Sequence, residues 1–257
     1  MAIDKTQFPK SQFFTEEIKV HSYDSDFNQN LSIKSFFNFL QEIAWEHAQT
    51  LGYGWEHLMK NSWFWALVRM EADIFHKLKW TDKATLVTWP RKDEGIFAYR
   101  DFELYNSEGV KCIAASSSWL VLNVNNRRPV RLSEWYNDMP FSTRQALNRN
   151  ADKLKESDMP IAYSEEFPIT VGDIDMNGHV NNVRYIDWAY NAFPVDHYKK
   201  YYPEKVAVNF NAEALYGDNV KVELRKDNLN STVDIVNPTT GKNNCRINFQ
   251  WKELEKF

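Results

Sequence analysis

The chain has 257 residues, of which 43% are hydrophobic and 26% charged, a composition typical of a globular protein with one large or two small domains. Aromatic residues make up 15% of the chain and favour sheet structure and a large apolar cavity or interface. A net charge of −4 argues against nonspecific nucleic-acid binding, which needs a basic surface. No apolar run is long enough to predict a membrane span, and the first residues predict no secretory signal. The two cysteines exclude a disulfide framework and a cysteine-based zinc site, so a reducing, cytoplasmic location is expected.

The first half of the chain predicts a strand, a long helix and then a sheet. Residues 13–20 end in a short alternation of apolar and polar residues, which indicates a strand. From Leu31 to Leu51, apolar residues recur at spacings of three and four, as on one face of a helix. Residues 63–124 contain several alternating segments bounded by turn residues, which predicts antiparallel strands.

A change in composition follows at residues 133–162, which are charged and contain Pro140 and Pro160. The stretch 143–156 is compatible with a solvated helix. We therefore predict a linker with a charged helix at 133–160. It separates an N-terminal unit at 10–132 from a C-terminal unit at 161–252.

The second half repeats the plan of the first, with a strand, a helix predicted at 182–193 and four more strands. At an offset of 149 residues, the segment 26–31 aligns with the segment 175–180, and the following helices also align. At an offset of 136 residues, the segment 70–82 aligns with 206–218. A long apolar helix followed by four or five strands indicates a sheet curled around that helix. The predicted fold is therefore α+β, a tandem of two hot-dog units.

The two copies differ where chemistry could occur. The first copy has Asn30 and Lys77, whereas the second has His179 and Glu213 at the aligned positions. A histidine and a carboxylate form a common general acid/base pair. The loop around His179 directly precedes a helix, whose free N–H groups can hold an anion or oxyanion. The alternative interpretation is a structural cap and turn with a solvated histidine. The difference between the copies supports a function, but the residue pattern alone leaves both interpretations open.

Residues 173–185, with the sequence DIDMNGHVNNVRY, resemble the signature loop of the acyl-acyl carrier protein thioesterases of plants and bacteria. Further stretches resemble the same family in the same order, so that the similarity covers about residues 13–225. These stretches are 36–52, 62–74, 116–132 and the FNAE segment at 210–213. The resemblance implies a double hot-dog fold and hydrolysis of the thioester that joins a fatty acyl chain to acyl carrier protein.

The resemblance also implies a catalytic set, which consists of Asp175, Asn177, His179 and Glu213. Glu213 with His179 would activate water, Asn177 would order water or the thioester, and Asp175 would orient the loop. Which of Glu213 and His179 takes the proton stays open. Plant members carry a cysteine directly after the glutamate, but this chain has Ala214. We interpret Cys112 and Cys245 as packing residues, so a covalent cysteine mechanism is not expected.

The remaining candidate residues concern binding. The first copy would hold the acyl chain with aromatic residues, for which the candidates are Phe36, Phe37, Trp63 and Trp65. Acyl carrier protein is acidic, so basic clusters are candidate docking residues: Arg127, Arg128 and Arg131, and Lys199 and Lys200 with Lys205. A third basic cluster is expected on the linker helix: Arg144, Arg149, Lys153 and Lys155. His47 is interpreted as a hydrogen-bonded core residue, and no histidine spacing suggests a metal site; no cofactor is predicted.

Two other functions stay open at this point. An acyl-CoA thioesterase would keep the same site but lack a protein-docking surface. A non-catalytic acyl-binding protein belongs to a different class, and the presence of His179 and Glu213 in one copy argues against it. The sequence leaves the acyl chain length and the oligomeric state undetermined, and a homodimer is compatible with the tandem arrangement.

Overall fold

The structure is a computed structural model that describes residues 3–134, 136 and 138–254. The chain forms two compact units, the first ending at Ala151 and the second beginning at Asp152. No helix among the described residues is long and apolar enough to cross a membrane.

The first unit is an antiparallel sheet with one long helix. Its sheet has the strand order β1-β3-β4-β5-β2. The elements in chain order are β1 (Phe14–Lys19), α1 (Ile33–Thr50), α2 (Trp55–Lys60), β2 (Trp63–Ile74), β3 (Lys83–Glu94), β4 (Phe97–Asn106) and β5 (Lys111–Asn123).

The long helix α1 is buried against this sheet, as its periodicity predicts. It begins after Ser32, whose side-chain oxygen accepts a hydrogen bond from the N–H of Ser35 at 3.1 Å. Its apolar face is buried, with Phe37 1% exposed and Leu40 not exposed at all. The helix contacts β1 and β3. The sheet therefore encloses the helix, which is the hot-dog arrangement.

His47 is a core residue of this helix, which confirms its interpretation from the sequence. Its side chain is buried, and Nδ1 lies 3.0 Å from Nη1 of the buried Arg100. Burial and the Arg100 charge lower the pKa of His47 to about 3. The imidazole is therefore neutral at physiological pH and accepts a hydrogen bond from the guanidinium group.

The second unit has the same plan. Its sheet has the strand order β7-β10-β9-β8-β6, which matches the order β2-β5-β4-β3-β1 of the first unit strand for strand. The helix α3 ends two residues earlier than predicted because Pro194 follows closely. The elements are β6 (Ile161–Pro168), α3 (Asn182–Asn191), α4 (Val195–Tyr198), β7 (Tyr201–Phe210), β8 (Asn219–Asp227), β9 (Asn230–Val236) and β10 (Asn243–Glu253).

The predicted linker helix is wrong, because residues 143–156 form no helix. The first part of this stretch lies along the N-terminal sheet, where carboxylates are buried. Arg144 Nη2 lies 2.7 Å from Glu103 Oε2, and the N–H of Ala146 donates to Asp101 Oδ2 at 2.7 Å. Arg149 forms ion pairs with Glu71 and Asp73. Buried carboxylates need cations and N–H donors, and residues 144–149 supply them from an irregular path along the sheet.

A core substitution tests the enclosed helix. We expect Leu40→Ala to lower the free energy of unfolding by about 2–5 kcal/mol, because it opens a cavity between α1 and the sheet. Denaturant unfolding would measure the loss. The exposed Asn38 on the same helix is the control, since Asn38→Ala should change stability by about 0.5 kcal/mol or less. Equal effects of the two substitutions would contradict the enclosed position of α1.

Candidate active site

The loop before α3 is held by a buried carboxylate. Asp173 is 4% exposed and accepts hydrogen bonds from the Thr170 N–H at 2.8 Å and from Arg184 Nε at 2.7 Å. Burial opposes its ionisation, but the hydrogen bonds from Thr170 and Arg184 outweigh burial and lower the pKa of Asp173. The N–H of Asn181 donates to the Asp173 carbonyl at 2.9 Å. Both ends of the 173–181 loop are thereby fixed to each other.

Within this loop a tight turn presents His179. The Asp175 carboxylate accepts the N–H of Asn177 at 2.8 Å, and the Asp175 N–H donates to the His179 carbonyl at 2.8 Å. Gly178 has a φ of +79°, a backbone conformation that favours glycine. The loop backbone is therefore internally bonded, and the His179 side chain projects from a defined position.

His179 and Glu213 meet, although they lie in different elements. Nε2 of His179 is 3.4 Å from Oε2 of Glu213, and their side chains are 21% and 46% exposed. The N–H of Val180 donates to the carbonyl of Ala214 at 3.0 Å. Because this bond joins the residues that follow the pair, it holds the two side chains side by side. The result is a solvent-accessible acid/base pair.

The N-terminus of α3 lies directly after this loop. Asn181 is the N-cap, and its side-chain oxygen accepts the N–H of Val183 at 2.9 Å. The first turn of a helix carries the positive end of the helix dipole. The site therefore combines an acid/base pair with a nearby region that favours negative charge.

The other two predicted catalytic residues have different surroundings. The Asp175 carboxylate is used to close the loop, which fits an orienting role. Asn177 is exposed, and its side chain forms no hydrogen bond with a described residue. The structure thus brings His179 and Glu213 together and leaves the Asn177 side chain accessible to solvent.

The aligned loop of the N-terminal unit has the same backbone but different side chains. The Asp26 carboxylate accepts the N–H groups of Asn28 and Asn30, each at 2.9 Å. The N–H of Leu31 donates to the carbonyl of Leu78 at 2.7 Å, as Val180 does to Ala214. Burial raises the pKa of Asp26. Asn30 and Lys77 therefore occupy the positions in the N-terminal unit that His179 and Glu213 occupy in the C-terminal unit.

Sequence reasoning missed three supporting residues, namely Asp173, Arg184 and Asn244. Asp173 could have been found, because Asp24 occupies the aligned position and is also buried. Asn244 is 2% exposed, and its Nδ2 donates to the Glu213 carbonyl at 3.1 Å. Nothing in the sequence spacing connects Asn244 with Glu213, since β10 and β7 become neighbours only in the folded sheet.

The aromatic candidates lie inside the N-terminal unit. Phe36 and Phe37 are buried and pack edge to face with ring centroids 5.7 Å apart. Trp63 and Trp65 are partly buried and belong to a separate aromatic cluster that includes Tyr136. The indole N–H of Trp65 donates to the Tyr53 carbonyl at 3.1 Å.

The basic candidates after β5 and after α4 are exposed, apart from the partly buried Lys205. Arg127, Arg128 and Arg131 lie after β5, and the Arg127 guanidinium is 5.0 Å from the ring centre of Phe64. Lys199 forms an ion pair with Asp196 at 2.8 Å, and Lys200 is exposed. Arg144 and Arg149 serve the buried carboxylates described above, so the cluster expected on a linker helix does not exist as a surface group.

Both cysteines are buried and free. Burial raises the pKa of Cys112 and of Cys245. A high pKa disfavours the nucleophilic thiolate, which agrees with their interpretation as packing residues. Among the described residues, no group of three or more histidine, cysteine, aspartate or glutamate side chains could hold a metal ion.

Comparison with known proteins identifies relatives along most of the chain. Oleoyl-acyl carrier protein thioesterase 1, chloroplastic, of Arabidopsis thaliana is 27% identical over 245 residues, covering 89% of this chain and 66% of the relative. A chloroplastic palmitoyl-acyl carrier protein thioesterase of Gossypium hirsutum is 26% identical, covering 91% of this chain and 59% of the relative. The chain thus spans about two thirds or less of the length of these plant proteins.

Solved structures share the fold. An acyl-ACP thioesterase from Bacteroides thetaiotaomicron superposes with a TM-score of 0.85 at 23% identity, covering 93% of this chain and 98% of that one. A 12:0-ACP thioesterase from Umbellularia californica gives a TM-score of 0.84 at 18% identity, covering 94% and 98%. These similarities confirm the tandem hot-dog fold.

Two family models match consecutive parts of the sequence. The acyl-ACP thioesterase N-terminal domain matches residues 11–139, and the C-terminal domain matches residues 157–253. Together the two models cover most of the chain and include the 173–181 loop and Glu213. The chain therefore belongs to the acyl-ACP thioesterase family.

Proposed function

We propose that this protein hydrolyses the thioester between a fatty acyl chain and acyl carrier protein, which releases a free fatty acid and ends chain elongation. The observation that carries the proposal is the His179–Glu213 pair, which forms beside only one of the two loops that share the same backbone. Family membership supports the same reaction.

The chemistry follows from these groups without a covalent enzyme intermediate. The His179–Glu213 pair takes a proton from water, and the resulting hydroxide attacks the thioester carbonyl carbon. Negative charge then develops on the carbonyl oxygen, which the positive dipole end of α3 stabilises. The C–S bond breaks, and the proton held by the pair goes to the leaving thiolate of the pantetheine arm. Water and thioester are thus converted to a fatty acid and a thiol.

The two units have different tasks in this proposal. The C-terminal unit, predicted at 161–252, supplies the acid/base pair, with Asn177 to order water or the thioester. The N-terminal unit, predicted at 10–132, lacks that pair and holds the acyl chain on aromatic side chains. The proposed acyl-binding residues are Phe36, Phe37, Trp63 and Trp65.

Acyl carrier protein is the proposed partner, and it docks on the basic residues after β5 and near α4. Because acyl carrier protein is acidic, opposite charges at the rim would steer its approach. The proposed docking residues are Arg127, Arg128, Arg131, Lys199 and Lys200. The sequence predicts a cytoplasmic location and leaves the oligomeric state open, with a homodimer compatible with the tandem arrangement.

The acid/base pair is tested by substitution. We expect His179→Ala and Glu213→Gln each to lower kcat for a long-chain acyl-ACP by about 100-fold or more, the usual scale for loss of an acid/base group. A single-turnover assay measures this directly. Asn30→Ala, at the aligned position of the other loop, is the matched control and should keep near wild-type turnover. Wild-type turnover in His179→Ala would contradict the mechanism.

The cysteines provide a test of the non-covalent mechanism. We expect Cys112→Ser and Cys245→Ser to keep turnover largely intact where the protein folds, since both thiols are buried and protonated. Circular dichroism would verify folding before the assay. Loss of turnover in a folded cysteine variant would mean that a thiol takes part in the reaction.

The docking surface is tested by a change of substrate. We expect the triple variant Arg127→Ala, Arg128→Ala, Arg131→Ala to lower kcat/KM for acyl-ACP and to flatten its salt dependence, because rim charges set the encounter rate. Hydrolysis of a short acyl-pantetheine thioester should barely change. The control is the double variant Lys153→Ala, Lys155→Ala, which removes two exposed charges elsewhere. Equal loss with both substrates would show that the arginines are structural.

A further inference from the structure

The two aligned loops provide an internal comparison that separates structural residues from residues that serve the chemistry. Their backbones share the same hydrogen bonds, so a side chain needed only for the loop shape should be equivalent in both. Two polar side chains near Glu213 break this equivalence. Tyr185 aligns with Phe36, and Asn244 takes the place of Cys112.

The second correspondence rests on hydrogen bonds. The N–H groups of Phe75 and His76 donate to the Cys112 carbonyl, at 2.8 and 3.1 Å. In the C-terminal unit, the N–H groups of Asn211 and Ala212 donate to the Asn244 carbonyl, at the same two distances. The backbone hydrogen bonds beside Lys77 are therefore the same as those beside Glu213. What differs is the side chain of the accepting residue, which is Cys112 in one unit and Asn244 in the other.

Asn244 holds the main chain that carries Glu213. Its Nδ2 donates to the carbonyls of Glu213 at 3.1 Å and Ala212 at 3.4 Å. In the N-terminal unit the Cys112 thiol instead contacts the carbonyl of Val110, the residue directly before β5, at 3.5 Å. Asn244 Oδ1 is buried and has no hydrogen bond among the described residues. One end of this carboxamide thus fixes Glu213, and the other end is an unused acceptor.

Tyr185 approaches the same segment from the helix. It is 3% exposed, and its ring packs edge to face on Trp188 and Phe210. Its contact with Phe210, the last residue of β7, places it beside the 212–214 segment, and its hydroxyl lies near the Ala214 N–H. The hydroxyl makes no hydrogen bond of normal geometry among the described residues. An unsatisfied buried hydroxyl destabilises a protein. Phe36 shows that the helix packs without the hydroxyl, so packing does not account for its presence.

We propose that Tyr185 and Asn244 are positioning residues that hold the 212–214 segment and direct the Glu213 carboxylate toward His179. The inference rests on the proposed function, because it gives both residues a role only through Glu213. On the buried side of the segment, Tyr185 supplies a hydroxyl oxygen that faces the Ala214 N–H, and Asn244 supplies an amide donor to the Glu213 carbonyl and an unused acceptor. The N-terminal unit has Lys77 in place of Glu213, and it carries Phe36 and Cys112 at the positions of Tyr185 and Asn244.

The test uses the residues that the N-terminal unit carries. We expect Tyr185→Phe to lower kcat about 10-fold with KM within about twofold, because misdirection of the carboxylate affects the chemical step more than binding. The melting temperature should stay the same or rise, since an unsatisfied hydroxyl is removed. Asn244→Cys should lower kcat to a similar extent. Tyr216→Phe, an exposed tyrosine three residues after Glu213, should match the wild type.

A double-mutant cycle distinguishes positioning from a general structural role. If Tyr185 acts through Glu213, the variant Tyr185→Phe, Glu213→Gln should be no slower than Glu213→Gln alone. The inference would be overturned if the fold-losses in kcat of the two single variants multiply in the double variant, or if Tyr185→Phe keeps the wild-type kcat. Either result would leave the proposed hydrolysis intact. Failure of the wild-type protein to hydrolyse any acyl thioester would instead refute the proposed function itself.

Discussion

One main-chain hydrogen bond, from the N–H of Val180 to the carbonyl of Ala214, decides whether His179 and Glu213 meet. It connects the loop before α3 with the segment after β7. The residues next to its donor and acceptor are the histidine and the glutamate. The 173–181 loop can provide this bond because the buried Asp173 fixes both of its ends and the Asp175 carboxylate closes the turn between them.

The same bond exists in the N-terminal unit between Leu31 and Leu78, where it places Asn30 beside Lys77. The duplicated fold thus supplies a fixed place for two side chains, and the residues at that place determine what each unit can do. Burial raises the pKa of Asp26 and lowers the pKa of Lys77, and it thus opposes the charged form of each side chain. In the C-terminal unit a half-exposed carboxylate faces a histidine, an arrangement suited to proton transfer.

The N-terminal unit shows a second constraint, which is the need to compensate buried carboxylates. Asp101 and Glu103 are almost completely buried on β4. Burial raises the pKa of Asp101 to about 6, against the opposing effects of Arg91 and the Ala146 N–H. Arg144 and Lys111 pair with Glu103. This demand for partners explains why residues 143–151 lie along the sheet as irregular structure instead of forming a separate helix.

The sequence by itself determined the elements that depend on local patterns. The spacing of apolar residues predicted α1, and the internal repeat predicted two units with the same plan, which the identical strand orders confirm. The repeat also singled out His179 and Glu213, because the copies differ there. Charge and composition predicted a helix at 143–156, and this prediction is wrong. Arginines in this stretch form ion pairs with carboxylates on distant strands instead.

Only the tertiary structure decided which residues surround the pair. Asn244 reaches Glu213 because β10 pairs with β7, and Tyr185 reaches the same segment because α3 packs against the sheet. Asp173 binds Arg184 across the loop. Periodicity reports which face of an element is apolar, but it carries no information on which polar groups of distant elements share a hydrogen bond. That pairing depends on strand register and on the balance between burial and hydrogen bonding, which exist only once the chain has folded.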